Sequence, residues 1–109
     1  MRASPEESRH GLMKALGARL ADLAQRRETI HYGALARELD LRVAEVTTAL
    51  EVMMEADLAQ GRPLRAALVT ARGSTLPARG FFDKAAALGL EITDPADFIA
   101  AERARLFVH

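Results

Sequence analysis

The chain has 109 residues, with 15 basic and 15 acidic side chains, a formal net charge of zero and no cysteine. That length suits a single domain, 1–109, with one core, and the missing cysteine excludes disulfides, thiolate zinc sites and a cysteine nucleophile. The balanced charge argues against a uniformly basic nucleic-acid binder. With no apolar run near the ~20 residues of a membrane span and no signal-peptide core at the start, a cytoplasmic protein without membrane contact is expected.

Ser4, Pro5 and Glu7 predict a capped helix start, and Leu12, Leu16, Leu20 and Leu23 set the stripe of a long first helix over 5–25. Gly11 and Gly17 each weaken that helix by about 1 kcal/mol relative to alanine, so packing compensates or another element approaches closely. The stretch Ile30 to Leu41, followed by the amphipathic run from Val43 to Ala56, reads as a helix-turn-helix over 30–57. Leu35, Ala36 and Leu39 form the buried side of its first helix. Val43, Val46, Leu50, Met53 and Met54 recur at the helical period and share the core face of the second. Its outward face holds Ala44, Glu45, Thr48, Glu51, Val52 and Glu55. Base edges in the major groove are read mostly by Arg, Lys, Asn and Gln. This acidic face offers only Thr48 and Glu45, with Arg42 at the helix start and Arg37 on the preceding helix as cationic contacts.

From Gly61 to Phe82 the chain carries Arg62, Arg65, Arg72 and Arg79 and no acid. Gly61 and Pro63 end the preceding helix, Ala66 to Thr70 reads as a short strand and Arg72-Gly73-Ser74 as a turn, which together predict a wing-like strand and turn over 62–78. Arg72 at the tip and Arg79 at the base are placed to straddle a sugar-phosphate backbone. Equally, these arginines can pair with Glu45, Glu51, Glu55 and Asp57 within the chain or between subunits. A short helix over 81–88 stops at Gly89, with Phe81 and Phe82 expected in the core. Thr93 to Asp97 opens a last helix over 95–107 that docks through Phe98, Ile99, Leu106 and Phe107.

Ile30-His31-Tyr32-Gly33-Ala34-Leu35-Ala36, then a helix through Val46-Thr47-Thr48-Ala49-Leu50, then a strand, a glycine turn and a helix, resembles the winged-helix DNA-binding domain of O6-alkylguanine alkyltransferases and alkyltransferase-like proteins. The resemblance covers about half of the chain and implies a winged helix-turn-helix in which Tyr32 matches the tyrosine that pushes on the target phosphate. The strand from Arg65 to Ala71 lacks the family's Pro-Cys-His-Arg, which removes alkyl transfer. Ala44 stands where the family has its intercalating arginine, and Thr47 and Thr48 where it has paired glycines, so nucleotide flipping is not carried over. The blocks Gly61 to Leu64 and Arg79 to Phe82 also resemble a pattern in uncharacterised bacterial proteins.

The remaining inventory gives no catalytic constellation. His10, His31 and His109 lack metal-ligand spacing, Ser4, Ser8 and Ser74 lack an elbow motif, and no phosphate-binding loop or dinucleotide fingerprint is present. The expectation is a mainly α fold with a small β hairpin, a winged helix-turn-helix with extra N- and C-terminal helices. It would be non-enzymatic, without cofactor or metal, and would bind DNA in transcription regulation as a homodimer through the first or last helix. Tyr32, Arg37, Arg42, Thr48, Arg72 and Arg79 are the expected contacts. The alternative is a winged-helix interaction module whose acidic second motif helix docks a basic protein partner.

Overall fold

The computed structural model describes residues 5–108; the cap expected at Ser4 lies outside them. Five α-helices are described: α1 (Pro5–Arg26), α2 (Tyr32–Leu39), α3 (Val43–Ala59), α4 (Arg79–Ala87) and α5 (Pro95–Leu106). Two very short strands, β1 (Ile30–His31) and β2 (Val69–Thr70), and a 3-10 turn at Arg65–Leu68 complete the chain. The expected helices therefore form, with ends displaced by a few residues. Among the described residues no helix is long and apolar enough to cross a membrane.

One core joins these elements. Leu16, Leu20 and Leu23 of α1 are buried against Leu35 and Ala36 of α2 and Val46, Leu50, Met53 and Met54 of α3. Each fully buried leucine of this kind contributes roughly 1.5–3 kcal/mol by leaving water. Leu12 is only partly buried, and residues 6–11 of α1 are exposed. Arg19 fixes α2 against α1 through two bonds to the Glu38 carboxylate, at 2.7 and 3.2 Å. Helices α1 to α4 end alike, with a residue of positive φ (Arg27, Asp40, Gly61, Gly89) followed by an N–H that reaches back to a carbonyl in the last turn. This closure satisfies carbonyls that a helix end leaves open. Two of the four positions are not glycine, and at Asp40 the closure sets the sharp turn from α2 into α3.

The hairpin expected over 62–78 does not form. Ile30 pairs with Val69 and His31 with Thr70 in parallel register, so the two strands belong to distant parts of the chain. The physical reason lies in burial: Leu64 and Ala66 to Thr70 are all buried. A hairpin with one solvated face needs alternation. An unbroken buried run instead suits a central segment, and this one is covered by α1, α3 and α5. After Thr70 the chain makes a tight turn closed by the Ala71 N–H to the Leu76 carbonyl at 2.8 Å. Helix α5 packs behind it, with Ile99 buried and the Arg103 guanidinium donating to the carbonyls of Ala67 and Thr75 at 3.0 and 2.8 Å. Burial holds the Arg103 pKa below its ordinary value. Phe81 enters the core while Phe82 is half-buried, their rings edge to face with centroids 5.1 Å apart.

Candidate functional site

Three helices begin at one place. The first turn of α2 (Tyr32, Gly33, Ala34), the first residue of α3 (Val43) and the start of α4 (Ala78, Gly80, Phe81) line a cleft of about 610 Å³. The Tyr32 hydroxyl accepts the Ala78 N–H at 3.2 Å and so ties α2 to α4 across it. Burial pushes the Tyr32 phenol above its ordinary pKa, with Glu51 adding to the rise and the Ala78 N–H opposing it. The phenol therefore stays protonated at neutral pH and keeps its own hydrogen to donate. His31, which also lines the cleft, meets the buried Thr70 with Nδ1 2.7 Å from the threonine hydroxyl.

Arg37 and Arg72 also line this cleft, and no carboxylate does. Arg37 folds back along α2 over Gly33, where a Cβ would stand 4.0 Å from its Nη1. Arg72 comes from the turn after β2. Among the described residues neither makes an ion pair or a side-chain hydrogen bond, although nine ion pairs occur elsewhere. The helix starts add to the same polarity. His31 and Ala78, which precede α2 and α4, supply no side-chain cap, whereas α3 opens with a capping box in which the Glu45 carboxylate accepts the Arg42 N–H, and Asp94 caps α5 by accepting the Asp97 N–H at 3.1 Å. Uncapped N–H groups carry the positive end of the helix dipole and favour an anion in front of them.

Of the six sequence-predicted contacts, the structure brings Tyr32, Arg37 and Arg72 together. Arg79 stands beside Gly80 at the rim, almost wholly exposed, with Asp83 3.9 Å away. Arg42 and Thr48 go elsewhere, to a groove of about 710 Å³ between α1 and α3 lined also by Leu12, Met13 and Val52. There the Glu45 carboxylate accepts the Arg42 backbone N–H at 3.0 Å and its guanidinium at 3.2 Å. These two bonds, the backbone one first, hold the Glu45 pKa below the usual range. Thr48 spends its hydroxyl proton on the Ala44 carbonyl at 3.0 Å. Thr48 is thus engaged within α3, while Arg42, just before it, is 84% exposed and pairs with Glu45 at the surface.

The acidic cluster is likewise dispersed. Asp57 is fully buried and binds Arg65 through its backbone N–H, Nε and Nη2 at 2.7 to 3.1 Å, with Arg62 at 3.2 Å, so the internal pairing named as the alternative for these two arginines occurs here. Glu55 is paired with Lys84. The signal for Asp57 was present, since it continues the buried stripe Val46, Leu50, Met53 along α3. Val43 departs in the other direction: expected in the core, it is 48% exposed and faces the cleft from the first turn of α3. His31, Thr47 and Ala71 complete the lining. Of these only His31, just before α2, could have been marked by its position in the sequence.

No known family model matches the chain, and neither a curated protein nor a solved structure matches it. Chemically, the cleft can hold an anion between two guanidinium groups, a neutral phenolic donor and backbone N–H groups. Among the described residues no group of three or more His, Asp or Glu side chains is placed to hold a metal ion.

Proposed function

We propose that the chain is a non-enzymatic nucleic-acid-binding protein that acts on DNA in a regulatory role and holds a phosphate in the cleft between α2, α3 and α4. The observation that carries this reading is the pair Arg37 and Arg72, both without a carboxylate partner among the described residues, in one cleft that no acid lines. Guanidinium groups grip phosphate bidentately, and Tyr32 would donate to a remaining oxygen. In this proposal the protein is a winged-helix variant whose wing is the closed turn over residues 71–76 rather than a hairpin. It anchors on the backbone, while Arg42 and Thr48 read no bases.

Duplex binding measured across ionic strength tests it. Contact with two or three phosphates gives a log-linear loss of affinity with a slope of about −2 to −3. Arg37→Glu with Arg72→Glu lowers affinity for every sequence alike, by about 100-fold at low salt, with the unfolding midpoint unchanged. Absence of binding at low salt would end this reading. Homodimerisation through α1 or α5 remains part of the proposal and is read by sedimentation.

The interaction-module reading draws support from the α1–α3 groove, where Val52 is 46% exposed beside the partly buried Leu12 and Met13. Its original basis is weaker, because Glu45, Glu55 and Asp57 already hold cations of their own chain. A basic partner would have to displace them.

A further inference from the structure

We propose that the cleft selects a terminal phosphate monoester at the end of a nucleic-acid strand over an internal phosphodiester. The proposal rests on the reading of the cleft as phosphate-facing and specifies which phosphate it takes.

Charge is the first argument. An internal phosphodiester carries one negative charge, whereas a terminal monoester carries about −1.5 to −2 at pH 7. Arg37 and Arg72 bring two full positive charges; among the described residues no carboxylate lines the cleft itself, while Glu51 acts on Tyr32 from an adjoining hollow that shares Tyr32, Thr47 and Phe81. A diester would leave this site with a surplus of positive charge; a monoester matches it. Donor count points the same way. Two guanidinium forks and the free hydrogen of the Tyr32 hydroxyl exceed what the two unesterified oxygens of a diester can accept with good geometry, and a monoester presents a third. His31 also lines the cleft, and its Nδ1 is engaged by the Thr70 hydroxyl.

Shape is the second argument. A continuous backbone must enter and leave a site, and a duplex presents its phosphates along a ridge. Here the bond from Ala78 to Tyr32 joins the starts of α2 and α4 across the cleft. A recess of about 610 Å³ lies within the range of small-ligand pockets and receives an end more readily than a through-running strand. Val43, exposed in the first turn of α3, offers an apolar surface for the terminal nucleoside.

The test is competition against a fluorescently labelled oligonucleotide bound to the full chain at fixed ionic strength. The competitors are one sequence with a 5′-phosphate, with a 3′-phosphate or with hydroxyl groups at both ends, together with inorganic phosphate and a nucleoside monophosphate. One phosphorylated strand should compete at least about tenfold better than the unphosphorylated strand, as one additional charge-assisted contact implies. The preference should shrink below about pH 6, where the monoester takes up its second proton. Arg72→Gln should reduce it to less than about twofold, and an unchanged unfolding midpoint would show that the loss is local. Equal competition by all three strands, with log-linear salt dependence, overturns the end selectivity and leaves the backbone reading intact. Competition by the nucleoside monophosphate or inorganic phosphate as strong as that of the phosphorylated strand overturns the assignment to a strand end. If no strand binds at all, the phosphate-facing cleft itself is refuted.

Discussion

Arg62 and Arg65, at the foot of α3, and Arg37 and Arg72, in the cleft, are the same residue type in one small protein, but only the second pair is open to a ligand. The first pair is bound to Asp57, whose side chain is wholly inaccessible and receives the Arg65 guanidinium and backbone together. A carboxylate taken out of water requires this company, because a buried charge without partners is strongly destabilising. In the cleft no carboxylate makes such a demand. The number of arginines in a segment therefore says little about its surface charge; the position of the nearest buried acid decides it.

The largest way to break this contrast is Asp57→Ala. It removes the acceptor of the Arg65 guanidinium and N–H, while both guanidinium groups keep some contact with water, and should cost about 2–4 kcal/mol in chemical denaturation, below the full range for a wholly buried pair. A loss below about 1 kcal/mol would mean that the cluster is as replaceable as a surface pair. An intermediate effect is expected at Tyr32→Phe, which leaves the Ala78 N–H without its acceptor and loosens the tie between α2 and α4. Stability should fall by about 1–2 kcal/mol, and binding of a phosphorylated strand should weaken as well; a variant that binds as before would remove the phenol from the site. The smallest effect is expected at Arg62→Gln. Its side chain is nearly half exposed, and Arg65 continues to satisfy Asp57. A change of less than about 1 kcal/mol with unaltered DNA affinity would sharpen the separation between the two arginine pairs.

Much of the architecture was legible because helical periodicity is local. The leucines of α1, the Leu35 and Leu39 pair and the Val46 to Met54 stripe each specify a helix with its buried side. The parallel pairing of Ile30–His31 with Val69–Thr70 was not legible, since nothing in a two-residue strand names a partner 39 positions away. The segment from Ala66 to Val69 shows why the hairpin expectation failed. Its apolar run reads as a strand, but Arg65–Leu68 form a 3-10 turn packed under α1, α3 and α5, and only Val69–Thr70 are extended. In the site, Tyr32, Arg37 and Arg72 could be selected by residue type. What the sequence hid was which cations are already engaged. Arg42 and Arg65 look as available as Arg72 until Glu45 and Asp57 are placed beside them.

Arg103 has a consequence for the timing of motion. By holding the carbonyls of Ala67 and Thr75 at once, it fastens both ends of the segment that includes β2 and the turn bearing Arg72. Arg72 to Thr75 are all exposed, and the turn is held at its end by Leu76, which packs on the core, and by Arg103. Part of its rigidity is therefore borrowed from the last helix, and opening of α5 is expected to loosen Arg72 as well. A perturbation near Ile99, in a helix that contributes no residue to the cleft lining, thereby reaches the cleft as a change in how long Arg72 stays in place.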